Sequence, residues 1–206
     1  MQTYRINAHD VLFDGENHQY IVDGRKVPRI TQMIDDIYPS RAPKVDAEIL
    51  KKAAKSGNDL KRMIMNYETE GLKTYHKEMQ SYIALKRQHQ LDAVHTQPIV
   101  LLYDSGVVIA AGRFDMVVRS PYINGLGITN IKRSRHLNHD RLTLQLNLYK
   151  RAYEQTYRKR IDYLKCIHIR NRYNQYVDIP LNHKEARALI KSYTEKHPLT
   201  YHAFID

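Results

Sequence analysis

The sequence predicts an α+β fold, a central mixed β-sheet flanked by helices, on three observations. Apolar side chains recur every three or four positions from about Val45 to Leu91. Residues 99–132 then break into short β-branched runs separated by Ser105-Gly106, Pro121 and Asn124-Gly125. A long amphipathic stretch over Asp140 to Tyr157 leads into a second pair of strand-like runs, so helices and strands alternate in blocks around one sheet.

The chain opens with Val11-Leu12-Phe13 and Gln19-Tyr20-Ile21-Val22 across Asp14-Gly15-Glu16-Asn17, a hairpin in which Gly15 and Asn17 suit positive φ. Asp23-Gly24 makes a second turn. Thr31 can cap a short helix over Gln32 to Tyr38, which Pro39 closes. From Val45 to Tyr67 the residues Ile49, Leu50, Ala53, Leu60, Ile64 and Tyr67 form one helical face, with a break or kink expected at Ser56-Gly57. A second helix spans Lys73 to Leu91. Strands are expected over Ile99 to Tyr103, Val107 to Ala111, Arg113 to Val118 and Gly127 to Lys132. After the helix carrying Leu142, Gln145, Leu146, Tyr149, Ala152 and Tyr153 come strands Tyr163 to Ile169 and Gln175 to Ile179, joined through Asn171-Arg172-Tyr173-Asn174. A last helix runs from His183 to Glu195, before a tail containing Pro198. No repeat or linker divides the chain, which reads as one domain: hairpin and helix (1–40), helical block (45–92), sheet core (97–180), C-terminal helix and tail (183–206).

A formal charge of +11 and a pI near 9.6 imply a positive surface field that favours polyanionic partners, nucleic acid first among them. The single cysteine, Cys166, excludes an internal disulfide and a cysteine-rich metal cluster; its neighbours Leu164, Lys165 and Ile167 suggest a buried strand and a reducing compartment. Neither a signal-peptide-length apolar run nor a membrane span is seen, which points to the cytoplasm and to no membrane partner. Phosphate-loop, H-E-x-x-H and G-x-S-x-G patterns are absent, and the eleven histidines are scattered; His136 and His139 are the one suggestive pair. Sixteen tyrosines with no tryptophan supply rings that could stack on unpaired bases.

Four phrases carry the most information: Lys26-Val27-Pro28-Arg29-Ile30-Thr31, Gly112-Arg113-Phe114-Asp115, Asn130-Ile131-Lys132, and Gln145-Leu146-Asn147-Leu148-Tyr149. Their order over Val11 to Ile179 resembles the RecB-like branch of the PD-(D/E)XK nuclease superfamily, which includes phage exonucleases and CRISPR-adaptation nucleases. Each motif alone is weak. The resemblance implies a restriction-endonuclease-like core and a site built from G-x-x-D, a (D/E)-x-K strand and a Q-x-x-x-Y helix. It also implies Mg²⁺ or Mn²⁺ as cofactor in active members. Such sites need paired carboxylates because hard cations prefer anionic oxygen, while the neighbouring lysine orients water and stabilises charge on phosphate. Alternation along a strand puts the first and third residues of D-x-K on one face.

On this resemblance Asp115 matches the metal ligand and Lys132 the catalytic lysine, whereas Asn130 stands where the second carboxylate belongs. Within Gly57-Asn58-Asp59-Leu60-Lys61, Lys61 stands in place of a histidine. Gln97 is the nearest candidate for a further glutamate. Together these changes shift the site by about three charge units toward positive, which lowers metal affinity and raises phosphate affinity. The expected reading is a DNA-binding nuclease fold, phage- or mobile-element-encoded, with cleavage weakened or lost. Lys61, Arg113, Lys132, Arg133 and Arg135 are the expected phosphate contacts, with Gln145 and Tyr149 supporting the groove. Such a protein would serve recombination or block a host nuclease or CRISPR complex. Two alternatives remain open from sequence: an active Mg²⁺-dependent exonuclease, and a protein-only inhibitor of a host or phage target that fills its partner's DNA channel.

Overall fold

The computed structural model describes residues 1–39, 47–72, 74–169 and 174–198 and has the α+β architecture. The expectations that touch Val45, Lys73, the loop 171–173 and the tail beyond Pro198 lie outside the described residues.

Strands β1 (Gln2–Ile6), β2 (His9–Asp14), β3 (Gln19–Val22) and β4 (Arg25–Val27) form an antiparallel sheet in chain order. Asp23 and Gly24 both take positive φ, 49° and 76°, as a two-residue hairpin turn demands. The Asp14 turn is built differently from the expectation. The Asp14 carboxylate accepts from the amides of Glu16 and Asn17, and positive φ falls on His18, not on Gly15 or Asn17. Helix α1 (Ile30–Ile37) begins earlier than expected, because Gln32 reaches back to the Arg29 amide and makes Arg29 the N-cap in place of Thr31.

Helix α2 (Ala47–Glu70) runs unbroken through Gly57, correcting the expected break. One glycine costs about 1 kcal/mol in a helix interior, which the burial of Leu60, Ile64 and Met65 against α3 (Lys77–Gln88) outweighs. The following strands are β5 (Asp92–Thr96), β6 (Ile99–Asp104), β7 (Val107–Arg113), β8 (Met116–Ser120) and β9 (Ile123–Lys132). Then come α4 (His139–Tyr157), β10 (Tyr163–Ile169), β11 (Asn174–Ile179) and α5 (His183–Lys196).

The expected central mixed sheet is present as five strands in the order β11-β10-β9-β8-β5, apart from the N-terminal meander, but the pair β6-β7 expected within it stands as a separate two-stranded sheet. The expected strand over Arg113 to Val118 is likewise two strands with Asp115 between them. Both corrections have one cause. Residues 92–120 form a long hairpin that kinks at Gln97-Pro98 on one arm and at Phe114-Asp115 on the other. Beyond the kink β7 lies against the meander through the Arg29–Ala111 bridge, whereas β8 pairs with β9, and a straight strand could not serve both sheets. The Gln97 amide donates to the Asp115 carbonyl at 2.8 Å and pins the kink.

Strands β9 and β10 are parallel, joined by the crossover helix α4. On one face of the five-stranded sheet Ile128 and Cys166 pack with α1, α4 and α5. On the other face Met116, Ile131 and Ile167 pack with α2 and α3. Burial holds the Cys166 thiol pKa up, at about 12, so it is an inert core group. No helix among the described residues is long and apolar enough to cross a membrane.

Candidate functional site

The kink between β7 and β8 opens a cleft of about 500 Å³ between the meander, α1 and α2. Asp115 lies at its floor, 7% exposed. One carboxylate oxygen, Oδ2, accepts from the Ile131 amide of β9 at 2.6 Å. The other, Oδ1, accepts from Nζ of Lys61 at 3.0 Å. Lys61 reaches it from α2, where Leu60 and Ile64 turn into the core and leave position 61 facing the cleft.

Asn130, 3% exposed, and Lys132 share one face of β9, so their alternation holds as read from the sequence. Lys132 Nζ donates to Oε1 of Gln145 at 3.3 Å, and Gln145 hydrogen-bonds the Tyr149 hydroxyl one turn along α4. Burial, reinforced by the nearby Lys61 ammonium and opposed by Asp115, holds Lys132 below the ordinary lysine pKa. Burial pushes Tyr149 up to about 12, so it remains a neutral phenol. Its ring lies 5.3 Å from Phe114. It also sits over Gly112, where a Cβ would come within 2.7 Å of Tyr149 Cε1. Gly112 is therefore fixed by close packing against the tyrosine, not by its backbone angles.

The structure thus draws Lys61, Asp115, Lys132, Gln145 and Tyr149 into one network beside the β9 position of Asn130. Arg113 lines the same cleft, its guanidinium 4.5 Å over the Phe13 ring. Arg135 is exposed on the loop after β9. Arg133 does not line the cleft: its Nε lies 2.8 Å from both oxygens of Glu78 on α3 and ties the loop to that helix. His136, in the loop before α4, and His139, the first residue of α4, are both exposed.

Sequence reasoning passed over Arg29. It lines the cleft, and its Nε is buried with no hydrogen-bond partner among the described residues. Arg29 stands in the phrase Lys26-Val27-Pro28-Arg29-Ile30-Thr31, between the meander and α1, and adds one more cation at the cleft. Arg29, Lys61 and Arg113 face a single carboxylate among the residues lining this cleft, with Arg62 beside them paired to Asp59, a field suited to phosphate.

A divalent ion does not fit these residues. Both Asp115 oxygens are engaged, one of them by an ammonium, and the neighbouring strand offers the neutral amide of Asn130 where a second anionic oxygen is required. Among the described residues, no group of three or more His, Cys, Asp or Glu side chains is placed to share a metal ion.

No family model matches the sequence, and no curated protein matches it. Among solved structures the chain is similar to the crystal structure of SSO0001, at 16% identity and a TM-score of 0.42, over 82% of this chain and 72% of that one.

Proposed function

We propose that this chain is a cytoplasmic DNA-binding protein of the RecB-like PD-(D/E)XK type in which a lysine has displaced the catalytic metal. The observation that carries the reading is the Lys61–Asp115 ion pair, with Asn130 as the neutral neighbour. Lys61 supplies within the chain the positive charge that a divalent ion supplies in an active nuclease. An ammonium neutralises Asp115 and attracts phosphate, but it carries no coordinated water to activate. The protein then holds a DNA backbone through Arg29, Lys61, Arg113 and Arg135 without cutting it. In a phage or other mobile element, that occupancy would serve recombination or shield DNA from a host nuclease or CRISPR complex.

The test is to incubate the protein with labelled linear and single-stranded DNA in Mn²⁺ while titrating salt. Salt-sensitive binding without products is the expected result. Cleavage abolished by Asp115→Ala would overturn the reading.

A further inference from the structure

A second chamber of about 610 Å³ opens beside the Lys61–Asp115 cleft and shares Gln97 and Arg113 with it. Its walls come from β1, the kink at Gln97-Pro98 and the end of α4. No acidic residue lines it, and its charges are Arg113 and Arg5, the latter ion-paired to Asp10. Three partly exposed rings face it, Tyr4, His95 and Tyr157. His95 and Tyr157 are locked edge to face at 4.9 Å, and the Tyr157 hydroxyl is held by the Ile99 carbonyl, so this wall is rigid. Burial and the Lys159 charge lower the His95 pKa, so the ring is neutral and can stack like the phenols beside it.

Resting on the DNA-binding reading, we propose that this chamber takes an unpaired nucleotide of a single strand whose backbone crosses Arg113 from the Lys61–Asp115 cleft. Rings with cations and no carboxylate are what successive unpaired bases and their phosphates require. A duplex keeps its bases stacked inside and would leave the aromatic wall unused. The chamber is also of the size of ordinary small-ligand clefts, which run from roughly 300 to 1,000 Å³.

The experiment is fluorescence anisotropy of the full chain with three labelled probes of equal length: oligo-dT, the same strand carrying abasic sites, and a blunt duplex. The expected result is roughly tenfold tighter binding of oligo-dT than of the abasic strand, with Tyr4→Ala lowering oligo-dT affinity to the abasic level and Tyr4→Phe retaining it. Equal, salt-sensitive affinity of the unaltered protein for all three probes overturns the chamber's role and leaves the DNA-binding reading standing. Failure to bind any probe overturns both.

Discussion

Nζ of Lys61 stands 3.0 Å from Oδ1 of Asp115, while Oδ2 of the same carboxylate is held by the Ile131 amide at 2.6 Å. The acid at the strand break thus accepts one donor on each of its two oxygens. Lys61 is about one-third exposed and Asp115 is nearly buried, so the pair lies between a surface and a core ion pair. Replacing Lys61 by Met should therefore lower stability by about 1–3 kcal/mol, chiefly because the Asp115 carboxylate loses its charged donor. The double variant Lys61→Met, Asp115→Asn should recover part of that loss in urea denaturation, and additive losses would show that the two side chains do not interact.

Lys132 gives the site a pH signature. Its folded pKa is below its unfolded value, chiefly through burial, so on raising the pH the folded state loses that proton before the unfolded state does. The unfolded chain then binds more protons, and stability rises with pH as the ordinary lysine pKa is approached from below. Lys132→Met should be more stable than the unaltered chain near neutrality and should flatten this rise. Denaturation midpoints at neutral and at alkaline pH check it.

Arg113 and Arg133 should separate cleanly. Arg113→Ala removes a cation from the cleft, so DNA affinity and the steepness of its salt dependence should both fall, the slope by about one unit. Arg133→Ala strips Glu78 of both its guanidinium contacts. It should cost about 1–3 kcal/mol of stability and leave the salt slope unchanged. Anisotropy titrations across a salt series, paired with melting curves, distinguish the two.

Gly112→Ala drives a methyl group against Tyr149 Cε1, at 2.7 Å, and Ile30 Cδ1, at 3.2 Å, in a packed interior. Overpacking of this kind costs about 1–3 kcal/mol, and here it also displaces the Tyr149 ring beneath Gln145 and Lys132. A lowered melting temperature together with weaker DNA binding is the expected pair of effects.

The helices and most strands were legible because their apolar residues repeat with clear periods, as α4 does through Leu142, Leu146, Tyr149 and Tyr153. The strands β1 and β5 escaped notice for the opposite reason. They are sheet edges with exposed residues such as Gln2, Thr3, Asp92 and Val94, whose pairing depends on neighbours and not on burial. The break at Asp115 was hidden because Phe114, Met116, Val117 and Val118 read as one apolar run around a single acid, and only the competing demands of two sheets divide it. At the candidate site, the family resemblance pointed to Lys61, Asp115, Lys132, Gln145 and Tyr149, yet composition could not tell Arg113 from Arg133. Both are single arginines beside a motif residue, and what separates them is Glu78, 55 positions from Arg133 along the chain.

The most direct test of the central claim is a calorimetric Mn²⁺ titration of the unaltered protein beside the double variant Lys61→His, Asn130→Asp. A lysine-filled site predicts no Asp115-dependent binding to the unaltered chain and a measurable, Asp115-dependent site in the variant, where the ammonium is gone and a second carboxylate is present. Tight Mn²⁺ binding by the unaltered protein that Asp115→Asn abolishes would contradict it.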